Sequence, residues 1–453
     1  MTEREFASRR LHFVGIGGVG MSGLALVAHE LGARVTGSDR TTSTYLEALQ
    51  ERGIETKMGN APEHVPAGAE VVYSTVVPPD NPERRAAKGR ELHRSELLAQ
   101  IASLRRTIAI TGTHGKTTTA AMVVHALQAC GMDPAYVIGG EHRSRGVYAA
   151  WGKGDWIVLE ADESDRSLLN LRPEIALLTS AEVDHHTAYA SRLELEETLR
   201  EFMARASRAT VVWNRQALRA LCPPGAIPYD APEPLLEGGH SRFEWRGFEV
   251  VLRVPGAHNA VDAAGALEVA ALAGADRATA AASLSGFAGV HRRLELLGQT
   301  PGGATVYDDY AHNPTKLAAA IDAVRTFAPR RVVAVFQPHR YSRTAAISRQ
   351  LGAALARADL VVVLDVYAAG ERAEAYPGVS GLLVAAAATE HASGREVAWL
   401  PGFDEARSFL ESTLRPGDLC LVMGAGNVDS LGRLLVCAGE AVASRPATAG
   451  AAS

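Results

Sequence analysis

The sequence predicts an α/β chain of three domains, each built on a mainly parallel sheet. Three observations predict it. Short apolar runs alternate with longer Ala/Leu-rich helical patterns, the signature of βαβ units. Three regions each open with such a run followed by a glycine-rich or polar loop. The chain has 453 residues, 47% of them hydrophobic, enough for several packed cores.

The first region holds candidate strands Leu11–Val14, Arg34–Thr36 and Glu70–Tyr73. The second holds Thr107–Ile110, Trp156–Leu159, Ile175–Leu178 and Thr210–Trp213, with helical patterns at Ala120–Ala129 and Ala263–Leu272. The third holds Arg331–Phe336, Leu360–Leu364 and Leu419–Met423. The expected domains are 1–99, 100–289 and 290–438. Residues 439–453, rich in Ala, Ser, Thr and Pro, are expected to form a disordered tail.

Charge and composition exclude several classes of function. With 46 basic and 51 acidic residues the net charge is −5, so no nucleic-acid partner is expected. No run of about 18 apolar residues exists, so no membrane span is expected. The start, MTEREFASRR, has no apolar core of a secretory signal. Cys130, Cys222, Cys420 and Cys437 are too far apart for a CxxC knuckle and fit inert thiols in a reducing cytoplasm.

Two loops carry phosphate-binding chemistry. The first strand runs into Gly15-Ile16-Gly17-Gly18-Val19-Gly20 and then a helix. Glycines let the backbone approach a phosphate, and the helix start offers N–H donors. Asp39 follows the second strand, where a carboxylate can accept hydrogen bonds from a ribose or base. This pattern alone suits NAD as readily as any other nucleotide. The second loop is more specific. Thr107–Ile110 leads into Gly112-Thr113-His114-Gly115-Lys116-Thr117-Thr118 and a helix, a shortened P-loop whose usual first glycine is replaced by Ile110. Its backbone would wrap the phosphates, Lys116 would neutralise the β/γ oxygens, and the Thr117 hydroxyl would reach Mg2+. Acidic clusters at Glu160–Asp165 and Glu182–Asp184 follow two more strands. In a parallel sheet they would face the same crevice.

Nine ordered segments then give a whole-chain pattern: HFVGIGGVGMSGLA, GTHGKTTT, EADESD, Asp184-His185, PGAHN, GVHRRLE, DDYAHNPTK, FQPHRYSRT and GAGNVDSL. In these the chain resembles the Mur ligases from about Leu11 to Leu435. The resemblance implies a Rossmann-like N-terminal domain that holds UDP-N-acetylmuramate, a central P-loop ATPase domain, and a Rossmann-like C-terminal domain that brings the amino acid. It implies ATP-dependent joining of L-alanine to the lactyl carboxylate of the muramate, in peptidoglycan precursor synthesis, with Mg2+, by a monomer or homodimer. The UDP-sugar would lie at Gly15, Gly17, Gly18, Gly20, Asp39 and Ser74. ATP would lie at residues 112–118, His258, Asn259, Arg293 and Asp309. Thr117, Glu163 and His185 would serve the metal. Tyr310, His339, Arg340 and Arg343 would line the amino-acid site, with Lys116, His312 and Arg340 closest to the chemistry.

The chain departs from the family pattern at Ser180, Thr187, Asp262, Asn313 and Asn427, where Asn, an acidic residue, Asn, His and Asp are usual. It has no lysine in residues 181–230, where several relatives carry a carbamylated one. The alternatives are a relative that attaches a preformed tripeptide to the same sugar, a dehydrogenase suggested by the first loop alone, and an inactive nucleotide-binding regulator suggested by the departures.

Overall fold

The structure, a computed structural model, describes residues 2–143, 147–182, 189 and 191–443. Its first sheet comprises β1 (Arg10–Val14), β2 (Arg34–Asp39), β3 (Glu55–Met58), β4 (Glu70–Tyr73) and β5 (Glu91–His93), in the order β3-β2-β1-β4-β5. All its pairings are parallel. The strand order reverses between β1 and β4, and a crevice opens there at the carboxyl ends in such sheets. Gly15 follows β1 and Ser74 follows β4, so the first glycine loop and Ser74 flank that point.

The central sheet comprises β6 (Arg106–Thr111), β7 (Ala135–His142), β8 (Val147–Ala150), β9 (Trp156–Glu160), β10 (Ile175–Leu178), β11 (Ala209–Trp213) and β12 (Ile227–Tyr229). Their order is β12-β11-β10-β6-β9-β7-β8. Only the β7–β8 hairpin is antiparallel. β6 and β10 are buried on nearly every residue, which is why they read as unbroken apolar runs: helices cover both faces of a parallel sheet. Each fully buried Ile or Leu here, such as Ile108, Ile110 and Leu177, contributes roughly 1.5–3 kcal/mol of transfer free energy. The register aligns Ile110 with Glu160 and Thr111 with Leu178, so three loops leave the sheet at one level.

Strands β13 (Leu235–Glu237), β14 (His240–Trp245) and β15 (Phe248–Leu252) form a small separate sheet. The last sheet comprises β16 (Glu295–Gln299), β17 (Thr305–Asp309), β18 (Arg331–Phe336), β19 (Leu360–Val363), β20 (Glu396–Trp399) and β21 (Asp418–Met423), ordered β16-β17-β21-β18-β19-β20. Only β16 runs antiparallel to its neighbour. Asp309 and Phe336 both pair with Met423, so the loops after β17, β18 and β21 also leave at one level.

All ten expected strands are present. The chain packs as two compact units. One unit carries the first two sheets and ends at Val290, and the other carries the last sheet from His291, with Glu233–Arg242 and Leu252–His258. The final helix, Asp429–Ala443, takes in residues 439–443 of the expected tail. Among the described residues no helix is long and apolar enough to cross a membrane. Cys420 is buried, Cys130 and Cys222 are partly buried, and Cys437 is exposed.

Candidate active site

The P-loop closes over the carboxyl end of β6. Gly112 has φ +125°, and a Cβ there would collide with the Thr179 hydroxyl and lie 2.7 Å from the backbone N and O of Ser180. Gly115, at φ +81°, caps the helix Lys116–Ala129, and a Cβ there would come 2.5 Å from Asp262 Oδ1. Only glycine satisfies both the backbone angles and this crowding. The loop is braced from β10. The Thr179 hydroxyl donates to the carbonyls of Thr111 (3.1 Å) and His114. His114 N donates to Ser180 Oγ at 2.8 Å. Thr113 Oγ1 donates to Glu182 O at 2.7 Å, and the His114 ring meets the Glu182 carboxylate at 2.9 Å. The departure at Ser180 therefore keeps a hydrogen-bonding role, since a hydroxyl accepts the loop N–H.

Lys116 Nζ donates to Gly112 O and to Glu163 Oε2, each at 2.7 Å, with Asp162 Oδ1 at 3.9 Å. Burial opposes the ammonium charge, but Glu163, Asp162 and Glu160 outweigh it and hold the Lys116 pKa above its ordinary value. The lysine stays charged at any working pH. Thr117 Oγ1 donates to Glu160 Oε2 at 3.1 Å. Thr117, Glu160 and the nearly fully buried Glu163 form a hard-oxygen set at the mouth of the loop. Among the described residues no three His, Cys, Asp or Glu side chains form a ready metal cage. Magnesium arriving with a nucleotide needs no such cage, since phosphates and water fill most of its octahedron and one or two protein oxygens suffice. The donor set present fits that ion. His185, with Asp184 and Thr187, lies outside the described residues.

In the first sheet, Asp39 Oδ2 accepts from Gly17 N at 2.9 Å and its Oδ1 accepts from Thr41 N at 3.2 Å. Asp39 thus shapes the glycine loop, a task the spacing alone did not reveal. Gly15 takes φ +75°.

The C-terminal unit gathers a second set. Arg292 and Arg293 each lie 5.1 Å from the Tyr310 ring centroid. Both Asp309 oxygens accept backbone N–H bonds, from Leu294 (2.8 Å) and Ala311 (2.7 Å), and this fixes the loop that presents Tyr310 and His312. His312 Nδ1 faces the Tyr310 carbonyl at 2.9 Å. A carbonyl only accepts, so Nδ1 carries the proton and Nε2 is the basic atom. His339 lies 6.3 Å from the His312 ring and stacks on Tyr367 at 5.6 Å. Arg343 Nη1 lies 3.4 Å from His339 Nδ1. Arg340 starts the helix Tyr341–Leu355 with φ +72°, and its N–H donates to Tyr367 O at 2.8 Å. A non-glycine residue held there costs on the order of 1–3 kcal/mol, strain typical of functional sites. Tyr367 is absent from the sequence expectations. Asn313 caps the helix Pro314–Arg325 through Lys316 N, a role its substitution for histidine allows. His258 is exposed and Asn259 buried, at the start of the helix Ala257–Ala273. The P-loop set belongs to the first unit, and Arg293, Asp309 and residues 310–343 belong to the second.

Arg292 ties this region together, bonding Asp308 Oδ2 (3.2 Å) and the carbonyls of Gly424 (2.8 Å) and Gly426 (3.0 Å). Burial pushes the Asp308 carboxyl from 3.8 up to about 7; Asp429 and Asp309 add to the shift and Arg292 opposes it. A carboxyl whose folded pKa lies above its unfolded one stabilises the fold fully below the unfolded value. That contribution is lost as pH rises through the folded one. The melting temperature of Asp308→Asn should therefore change less between pH 5 and pH 8 than that of the native chain. An equal or steeper fall in the variant would show that Asp308 is not the titrating group.

Three family models match successive parts of the chain: the Mur ligase family catalytic domain at residues 10–106, the Mur ligase middle domain at 110–220, and the Mur ligase glutamate ligase domain at 292–426. The chain belongs to the Mur ligase family. Among its relatives is a UDP-N-acetylmuramate–L-alanine ligase of Rubrobacter xylanophilus, 40% identical over 447 residues, covering 94% of this chain and 99% of the relative. The crystal structure of the UDP-N-acetylmuramate–alanine ligase of Thermotoga maritima superposes with a TM-score of 0.82 at 26% identity, covering 96% of this chain and all of that one. A murein peptide ligase from Psychrobacter arcticus shares the fold at a TM-score of 0.70 and 23% identity, with 95% and 99% of the two chains covered.

Proposed function

We infer that this Mur ligase joins L-alanine to the lactyl carboxylate of UDP-N-acetylmuramate at the expense of ATP. The observation that carries the reading is end-to-end similarity to an alanine ligase in a chain whose phosphate loop keeps its lysine, held between Gly112 O and Glu163.

In this reading residues 1–99 hold the UDP-sugar, 100–289 the ATP, and 290–438 the amino acid. A lactyl carboxylate oxygen attacks the γ-phosphorus, the bond to the ADP oxygen breaks, and an acyl phosphate forms. Lys116 and Arg293 offset repulsion between the two anions. Magnesium, when bound with ATP by Thr117, Glu163 and His185, adds charge neutralisation on the phosphates. Glu160 joins that set through its bond to Thr117. The neutral alanine amine then attacks the acyl carbon, phosphate leaves with the C–O electron pair, and His312 Nε2 takes the amine proton. Arg340 and Arg343 clamp the alanine carboxylate, whose two oxygens match a guanidinium edge. The glycine loop at 15–20, with Ser74, holds the UDP diphosphate.

A coupled ADP-release assay tests this. UDP-N-acetylmuramate with L-alanine should support turnover. Release seen only with a preformed tripeptide would make the chain a peptide ligase instead. In the same assay Arg340→Ala should raise the alanine KM by about tenfold or more, one charge-assisted contact being worth roughly 1.5–3 kcal/mol. An unchanged KM would remove Arg340 from the amino-acid site.

A further inference from the structure

The acidic loop after β9 touches more than the P-loop. Arg94, the first residue of the helix Arg94–Ala102, donates through Nη2 to Asp165 Oδ2 at 3.1 Å, with Asp162 Oδ2 at 3.9 Å. Thr75, just after Ser74 at the end of β4, also donates to Asp165 Oδ2, at 3.3 Å. The other terminal nitrogen, Nη1, lies against the first glycine loop: a methyl group on Gly20 would sit 3.4 Å from it. Gly20 lies in the first turn of the helix Val19–Glu30, where backbone N–H groups lack helical partners.

A guanidinium is planar and rigid, so anchoring one nitrogen aims the other. We propose that Arg94 donates from Nη1 to the diphosphate of the sugar nucleotide, and that Asp165 of the acidic loop holds it in that pose. The proposal rests on the reading that the glycine loop at 15–20 takes the UDP-sugar, and it supplies that loop with a cation. Arg94 also screens the diphosphate from Asp162 and Asp165, which would otherwise face it as like charges. The sugar-nucleotide site is thus completed by the same loop whose Glu163 holds Lys116.

Calorimetric titration of the full chain with UDP, with uridine and with ATP tests the assignment. Arg94→Ala should weaken UDP by about tenfold or more, as expected for one charge-assisted contact. It should leave uridine, which has no phosphate, and ATP within about twofold. Arg94→Lys should recover part of the loss. Asp165→Asn should weaken UDP less, and the double variant should bind UDP as Arg94→Ala does, because Asp165 acts only through Arg94. Unchanged UDP affinity in Arg94→Ala, equal losses for uridine and UDP, or additive losses in the double variant would each overturn the proposal. Failure of the native chain to bind UDP at all would instead overturn the reading of the glycine loop.

Discussion

Lys116→Ala should lower turnover by about a thousandfold or more, roughly 4 kcal/mol of transition-state stabilisation, while UDP-N-acetylmuramate binds nearly as before. Two effects act together. The ammonium placed at the mouth of the loop is lost just where negative charge accumulates during phosphoryl transfer. Glu163, nearly fully buried, also loses its 2.7 Å cationic partner. Removing one member of a buried pair typically costs about 3–5 kcal/mol, so the variant should melt lower as well. Titration with the sugar nucleotide separates the two effects, because a folded first sheet still binds it. Turnover kept within about tenfold of the native rate would mean that Lys116 is not the transfer cation.

Gly112→Ala should be nearly as damaging, for steric reasons. The added carbon would strike the Thr179 hydroxyl and the Ser180 backbone while the residue holds φ +125°. The strand-end loop and the P-loop would have to part, which breaks the Thr179 and Ser180 bonds to Thr111 and His114. ATP affinity should drop about a hundredfold or more, and unfolding in urea should shift by about 3 kcal/mol or more. Gly15→Ala is the natural control. At φ +75° it has no atom within 4 Å of the new carbon, so it carries only the backbone penalty of about 1 kcal/mol. Equal losses in the two variants would show that crowding at Gly112 is not what matters.

How far the sequence could be read depended on burial. Strands β6, β10, β18 and β21 are covered on both faces, and their unbroken apolar runs gave them away. Strands β3, β13 and β20 are short and largely exposed, so they carry no such run, and β14 alternates exposed and buried residues outside any parallel unit. The site divides in a similar way. Lys116 and Thr117 sit in a local motif, and Glu163 in a cluster at a strand end. The bracing by Thr179 and Ser180, 65 to 68 residues from the atoms they hold, leaves no local trace. Ser180 could be seen only as a departure, and its hydroxyl shows why that departure is tolerated. Arg94 and Asp165 are 71 residues apart, and only the folded chain brings them together.

The strand order of the last sheet bears on how the chain is made. β21 leaves the ribosome last of its sheet, yet it lies between β17 and β18, which were synthesised about a hundred residues earlier. Until Met423 emerges, those two strands have no neighbour on their facing edges, and their apolar side chains stay within reach of other nascent chains. Strand pairing across such a sequence distance closes slowly and exposes intermediates to aggregation. The interval between translating β18 and seating β21 is therefore the part of synthesis in which this sheet is most open to misassociation.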